Sequence, residues 1–309
     1  MELTRGLYSE PEDTLLTTRA ADYLSRGPAD VVDLIGHICS LPGAPRIVAE
    51  HMAHAMFAGR PQFVRKADGK WTLAELTAQP YTADRRRGKP STSGIPDEAL
   101  HELSYVVVDT ETTGGRSWLN DRITEIAAVV VRGNEIVEVY ETLVNPQRSI
   151  PPFITALTNI TWDMIRNAPT FDQVAPEVMR VLEGNVFVAH NATFDWRFLT
   201  TELTRATGRQ LRGRRLCTVK LARKVLPQLP RRSLDYVARY YGITITNRHR
   251  AGGDAIATAK CLIRMVSDLA DRGCGTWAEL QTLLRTQPGR RKKRKRSGLP
   301  TSVTRDTTA

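Results

Sequence analysis

Paired cysteines are missing from this 309-residue chain: its four, Cys39, Cys217, Cys261 and Cys274, are scattered without CxxC spacing. That excludes a disulfide framework and a paired-thiolate zinc site as organising features. No apolar run approaches the roughly 20 residues of a membrane-spanning helix, so no membrane partner is expected. The opening MELTRGLYSEPEDT lacks the basic-then-apolar layout of a secretory signal, and the chain is expected in the cytoplasm. Hydrophobic residues still make up 41% of it, ample for one large core or two smaller ones.

Acidic residues are scarce towards the C-terminal end. From residue 285 to 309 there are nine basic residues against one Asp, a net +8 of the chain's +11, which leaves only +3 for everything before. The centre of this segment, RRKKRKR at 290–296, is flanked by Gly, Pro, Ser and Thr. Such a composition predicts a disordered basic tail over 285–309 that either attracts phosphate backbones or merely solubilises the end.

A second composition shift falls at 78–98, AQPYTADRRRGKPSTSGIPDE, and predicts a linker over about 77–99. Before it, helical patterning runs around Thr18 to Arg26. Val31, Leu34, Ile35 and Ile38 recur at helical spacing before Pro42-Gly43, and a third helix fits Pro45 to Ala58. Two short β-like runs then flank Asp68-Gly69, a hairpin signal. Three helices and a hairpin over residues 17–76 resemble a winged helix. That resemblance implies DNA facing Arg46, His51 and His54 on the third helix and Arg65, Lys66 and Lys70 on the wing; docking on a protein surface is the alternative.

Beyond the linker the pattern changes to β-branched runs. SYVVVD (104–109) reads as a strand, and RITEIAAVVV (122–131) and EIVEVYETLV (135–144) as a hairpin joined at Arg132-Gly133-Asn134. Helices are predicted at 170–183, 193–207, 218–226, 233–241 and 252–271, with buried strands at 186–189 and 215–217, giving an α/β sheet with helices concentrated in its second half.

Within this pattern VVVDTETTG (106–114) places Asp109 and Glu111 two apart at the end of a buried strand. Alternation sends both to one face, where they repel unless something positive lies between them, and a divalent cation is the obvious candidate. Asp195 in HNATFD opens a helix after a buried strand, and Asp254 in HRAGGD opens the last long helix with His249 five residues earlier. Four carboxylates and one imidazole thus sit where an α/β sheet projects groups into a cleft.

DTETTG (109–114), HNATFD (190–195) and HRAGGD (249–254) resemble, in order, the three motifs of the DEDDh family of 3′→5′ exonucleases, the proofreading type seen in the ε subunit of bacterial DNA polymerase III. ITALTNIT (154–161) and CTVKLARKVLP resemble supporting family stretches, departing by Asn159 where Gly is frequent and by Cys217 where Asp is frequent. The resemblance implies a ribonuclease H-like exonuclease domain, a mixed five-stranded sheet with helices over 100–273, preceded by the small winged-helix-like α/β domain. It also implies two Mg²⁺ or Mn²⁺ ions held by Asp109, Glu111, Asp195 and Asp254, with Asp109 bridging both, and His249 as the catalytic base. Substrate contacts are expected from the backbone around Thr112 and Thr113 and from Asn191, while Phe194 packs beside a base or, preferentially, in the core; His190 is read as structural. The implied substrate is a single-stranded or frayed 3′ end of DNA, and a DNA polymerase is a candidate partner. RNA trimming and a non-catalytic DNA-binding or scaffold role are the alternatives.

Overall fold

Alternation along one strand organises the larger part of the molecule. In the computed structural model, which describes residues 6–74 and 98–286, β4 (Ser104–Thr112) sends Tyr105 and Val107 into one core and Val106 and Val108 into another. The expected linker and basic tail lie almost wholly outside the described residues. A strand buried on both faces must sit centrally, and β4 does: it pairs antiparallel with β5 (Ile123–Arg132) and parallel with β7 (Val186–Ala189). β6 (Glu135–Leu143) extends the sheet beyond β5, and β9 (Arg215–Cys217) extends it beyond β7, for the order β6-β5-β4-β7-β9. This is the mixed five-stranded sheet expected of a ribonuclease H-like exonuclease fold, with its three antiparallel strands adjacent.

Helices cover both faces. On the side of Val106 and Val108 lie α6 (Phe171–Leu182) and α7 (Thr193–Thr207). On the side of Tyr105 and Val107 lie α8 (Thr218–Val225), α9 (Leu234–Tyr240), the long α10 (Ala251–Ala270) and α11 (Trp277–Arg285). Two short helices that periodicity did not predict, α4 (Pro152–Thr158) and α5 (Trp162–Ile165), follow β6. The first ends on Asn159 at φ 57, in the left-handed region. Asn is the side chain that best tolerates this conformation after glycine, so the Asn-for-Gly departure preserves the cap.

The N-terminal part contributes α1 (Leu15–Leu24), α2 (Val31–Cys39), α3 (Arg46–Phe57) and a two-stranded sheet of β2 (Phe63–Arg65) and β3 (Trp71–Leu73), in the expected order. They enclose their own core, in which Phe57 stacks on Phe63 with ring centroids 4.3 Å apart. Unforeseen is β1 (Tyr8–Pro11), which pairs antiparallel with β8 (Arg209–Arg212) at the far side of α7. Leu7 enters the core beneath α6, and Gly6 passes so close to the Gly184–Asn185 backbone that any Cβ there would overlap it. Arg60, nearly buried, donates to the Glu12 carbonyl and pairs with Asp13 at 3.0 Å, fastening α3's end to β1. No helix among the described residues is long and apolar enough to cross a membrane.

Candidate active site

The register of β4 fixes the first two acids. Asp109 and Glu111 stand on the Tyr105–Val107 face, and a bulge between Glu111 and Thr112 ends the regular pairing with β5 just beyond them. β7 ends alongside, and the chain turns at Asn191, φ 74, into the first turn of α7, which carries Asp195, 4% exposed. One Asp195 oxygen, Oδ1, accepts from the Thr110 amide at 3.1 Å and the Thr110 hydroxyl at 3.0 Å. Asp254 sits in the first turn of α10, also 4% exposed, and is not that helix's cap; Arg250 occupies the cap position.

The sequence-predicted acids and base converge. Ligand atoms of Glu111, His249 and Asp254 lie within 4.8 Å of one another. Asp109 and Asp195 are outside that triplet but belong to the same electrostatic unit. Burial and the charges of Asp195, Glu111 and Asp254 push the Asp109 carboxyl well above its usual range. Burial, then Asp254, Glu125 and Asp195, push Glu111 up to about 8. Burial raises Asp195 to about 7 against the opposing Thr110 bonds, and raises Asp254 against the opposing charge of Arg248. Four acids displaced in the same direction describe a site with too little positive charge for its carboxylates. Asp254 Oδ1 is buried with no hydrogen-bond partner among the described residues. An all-oxygen set with an orphaned carboxylate oxygen suits a hard divalent cation.

Three residues at this site carried no signal in the motif reading. Arg248 contacts Asp254 Oδ2, pairs with Asp235 at 3.0 Å and stands 3.3 Å from His249 Nδ1. Glu125, fully buried on β5 directly opposite Glu111, accepts from Arg250 Nε at 3.0 and 3.1 Å and from the Ala251 amide at 2.8 Å. This clamp holds the first turn of α10, and with it His249 and Asp254, against the sheet. An acid inside the apolar run ITEIAAVVV was the available clue, the same anomaly that marks Asp109.

The two glycines of HRAGGD make room for groups from elsewhere in the chain. A Cβ on Gly253 would overlap the Thr246 carbonyl oxygen, and one on Gly252 would meet the Glu141 carboxylate. Only the first is a backbone approach that cannot shift easily.

Of the expected substrate contacts, Thr112 and Thr113 are buried: Thr112 Oγ1 donates to the Gly114 carbonyl at 2.7 Å, and the Thr113 amide donates to the Arg122 carbonyl at 2.9 Å. Asn191 is exposed, and Phe194 is half-buried against Phe198, ring centroids 4.9 Å apart. His190 pairs its Nδ1 with Thr218 Oγ1 at 2.9 Å while burial pushes it down to about 4, which keeps it neutral. On the N-terminal unit, Arg46 is tied to Asp30 at 2.8 Å and Arg65 to Glu50 at 3.2 Å. That face therefore offers less unpaired charge than its sequence suggests.

Known proteins are similar to part of this chain. A Mycobacterium tuberculosis protein named as a bifunctional exonuclease/endonuclease is 42% identical over 193 residues, covering 60% of this chain and 30% of that protein. A DNA polymerase III subunit epsilon-like protein of Rhodobacter capsulatus is 39% identical over 202 residues, covering 64% of this chain and 29% of its own length. The chain thus spans less than a third of these relatives. Among solved structures, Exonuclease X in complex with 5′ overhanging duplex DNA covers 59% of this chain and 99% of its own, at 29% identity and a TM-score of 0.45. The profile described as Exonuclease matches residues 106–262, half of the chain and the whole stretch from β4 into α10 that carries the four acids and the histidine, and the chain belongs to that exonuclease family.

Proposed function

We propose that the protein is a metal-dependent 3′→5′ exonuclease that hydrolyses the terminal phosphodiester of a single-stranded or frayed DNA 3′ end and releases nucleoside 5′-monophosphates. The observation that carries this reading is the convergence of Glu111, His249 and Asp254 within 4.8 Å, beside the half-buried Asp109 and the buried Asp195. Asp109, Glu111, Asp195 and Asp254 would hold two Mg²⁺ or Mn²⁺ ions. Such ions, when bound, supply an activated water and a counter-charge for the departing 3′-oxygen.

The chain's own groups divide the remaining work. His249 accepts the proton of the attacking water as the new P–O bond forms and the bond to the 3′-oxygen breaks. Its backbone amide donates to Asp254 Oδ2 at 3.2 Å, which ties the base to a metal-holding carboxylate. Thr110 orients Asp195 by two hydrogen bonds, and the Glu125–Arg250 clamp orients the start of α10. In this reading residues 100–273 form the catalytic unit. Residues 17–76, with their separate core, form a winged-helix-like module that targets substrate. The names of the relatives favour DNA as the substrate and a proofreading or repair role beside a DNA polymerase, in the cytoplasm.

The test is a gel time course on 5′-labelled single-stranded DNA and RNA of one sequence with Mg²⁺, Mn²⁺ or EDTA. A metal-dependent ladder shortening from the 3′ end in wild type, absent in Asp109→Ala, is the expected result, with DNA degraded faster than RNA. No shortening of either strand would sink the reading.

A further inference from the structure

Beside the loop that follows β4, on the α7 side of the sheet, lies a cleft that none of the three motifs lines. It has a volume of about 550 Å³ and is lined by Leu119, Asn120, Arg122, Arg148, Ser149 and Arg205, among others. No carboxylate lines it. The acids that balance its arginines stand behind them: Glu202, 2% exposed, accepts from Arg122 Nε at 2.6 Å and from Arg205 Nη1 at 3.1 Å, and Asp121 lies 3.4 Å from Arg148 Nη1. Two guanidiniums therefore share one carboxylate. Arg148 uses that same nitrogen on the Asn120 carbonyl. Each of the three forks is thus fixed through a single nitrogen in these contacts, an arrangement that leaves planar donors for a tetrahedral oxyanion.

Position connects the cleft to the reaction. The Thr113 amide bonds the Arg122 carbonyl, and Glu111 pairs with Glu125, three residues further along the same strand direction. At the rise of a strand, Arg122 is on the order of 10 Å from the Glu111 level, about three nucleotides at the helical rise of a DNA strand. On the turn after β4, just before the Leu119 and Asn120 that line the cleft, Trp118 is 62% exposed with the Arg197 guanidinium 4.6 Å over its ring, and Arg197 is anchored to the Gly115 carbonyl at 2.9 Å. An exposed aromatic beside a fixed cationic cleft is how sequence-tolerant single-strand grooves are built.

Resting on the exonuclease reading above, we propose that the Arg122–Arg148–Arg205 cleft binds an internal backbone phosphate of the strand being degraded, a few nucleotides from its 3′ end, with the neighbouring base stacked on Trp118. The site would measure strand length and hold the substrate between successive cleavages.

The experiment compares two substrates with the full-length protein in Mn²⁺: a 5′-labelled oligothymidylate, and thymidine 5′-(p-nitrophenyl phosphate), whose single phosphodiester is too short to reach the cleft. The expected result for Arg148→Gln/Arg205→Gln is a fall of about tenfold in the ratio of oligomer to ester kcat/KM, carried by KM. The salt dependence of the oligomer reaction becomes shallower by about 0.7 in log–log slope, the value for one single-strand phosphate contact. Arg148→Lys/Arg205→Lys should restore the slope, and Trp118→Ala should lower the ratio while leaving the slope unchanged. An unchanged ratio in the glutamine variant, with wild type hydrolysing both substrates, overturns the cleft alone. Inhibition by free thymidine 5′-monophosphate that disappears in the glutamine variant also overturns it, by assigning the cleft to mononucleotide. Hydrolysis of neither substrate by wild type sinks the exonuclease reading instead.

Discussion

Replacing Arg250 by methionine removes the positive half of the clamp and leaves the Glu125 carboxylate fully buried, with the Ala251 amide still donating to it. Glu111 stands directly across the ladder, so the stranded charge also faces a second acid. Breaking a buried ion pair from one side costs about 3–5 kcal/mol. At about 2–4 °C per kcal/mol for a unit of this size, the melting temperature should fall by roughly 6–20 °C in differential scanning fluorimetry. An uncompensated buried carboxylate takes up a proton more readily folded than unfolded. The deficit relative to wild type therefore shrinks as pH falls and is larger at pH 8 than at pH 5. Glu125→Gln/Arg250→Met, which removes both charges, should recover at least half of the loss. A melting temperature for Arg250→Met within about 2 °C of wild type, or a double variant less stable than the single one, would refute the argument.

Glu111 at about 8 and Asp195 at about 7 mean that the folded, metal-free chain keeps protons the unfolded chain loses from about pH 4 upward. Its stability is therefore greatest at the acid end of that window and declines as pH rises through it. Because cations compete with those protons, the rise in melting temperature on adding Mn²⁺ should be larger at pH 8.5 than at pH 6, and equal shifts would refute binding at these carboxylates. His249→Gln should lower kcat by roughly 10²–10⁴, the range for loss of a general base, with Mn²⁺ affinity by titration calorimetry retained; a parallel loss of affinity would make His249 a ligand instead. Arg248→Ala should tighten Mn²⁺ binding about fivefold, since a unit charge at 4 Å in water is worth about 1 kcal/mol, whereas weaker binding would show that Arg248 organises the site.

The three antiparallel strands were legible because β-branched residues recur throughout them and Arg132-Gly133-Asn134 punctuates the hairpin. The acids were legible because charge at the end of an apolar run contradicts its surroundings. Arg250 was not: its partner lies 125 residues away, and no local period encodes that distance. β1 and β8, four residues each, are too short for alternation to register, and α4 and α5 are held by Pro151, Asn159 and packing rather than by an amphipathic stripe of useful length. What the glycines of HRAGGD accommodate, the Thr246 carbonyl and the Glu141 carboxylate, is brought there only by the folded backbone.

The pairing of β1 with β8 joins residues about 200 positions apart. A ribosome adding 5–20 residues per second reaches Arg212 roughly 10–40 s after Pro11. Throughout that interval α1, α2 and α3 have all they need to fold, while the strand in front of them has no edge to join. β1, made long before its partner strand, is thus among the last to be secured, and removing it to isolate the catalytic part would uncover β8 and empty the place of Leu7 beneath α6.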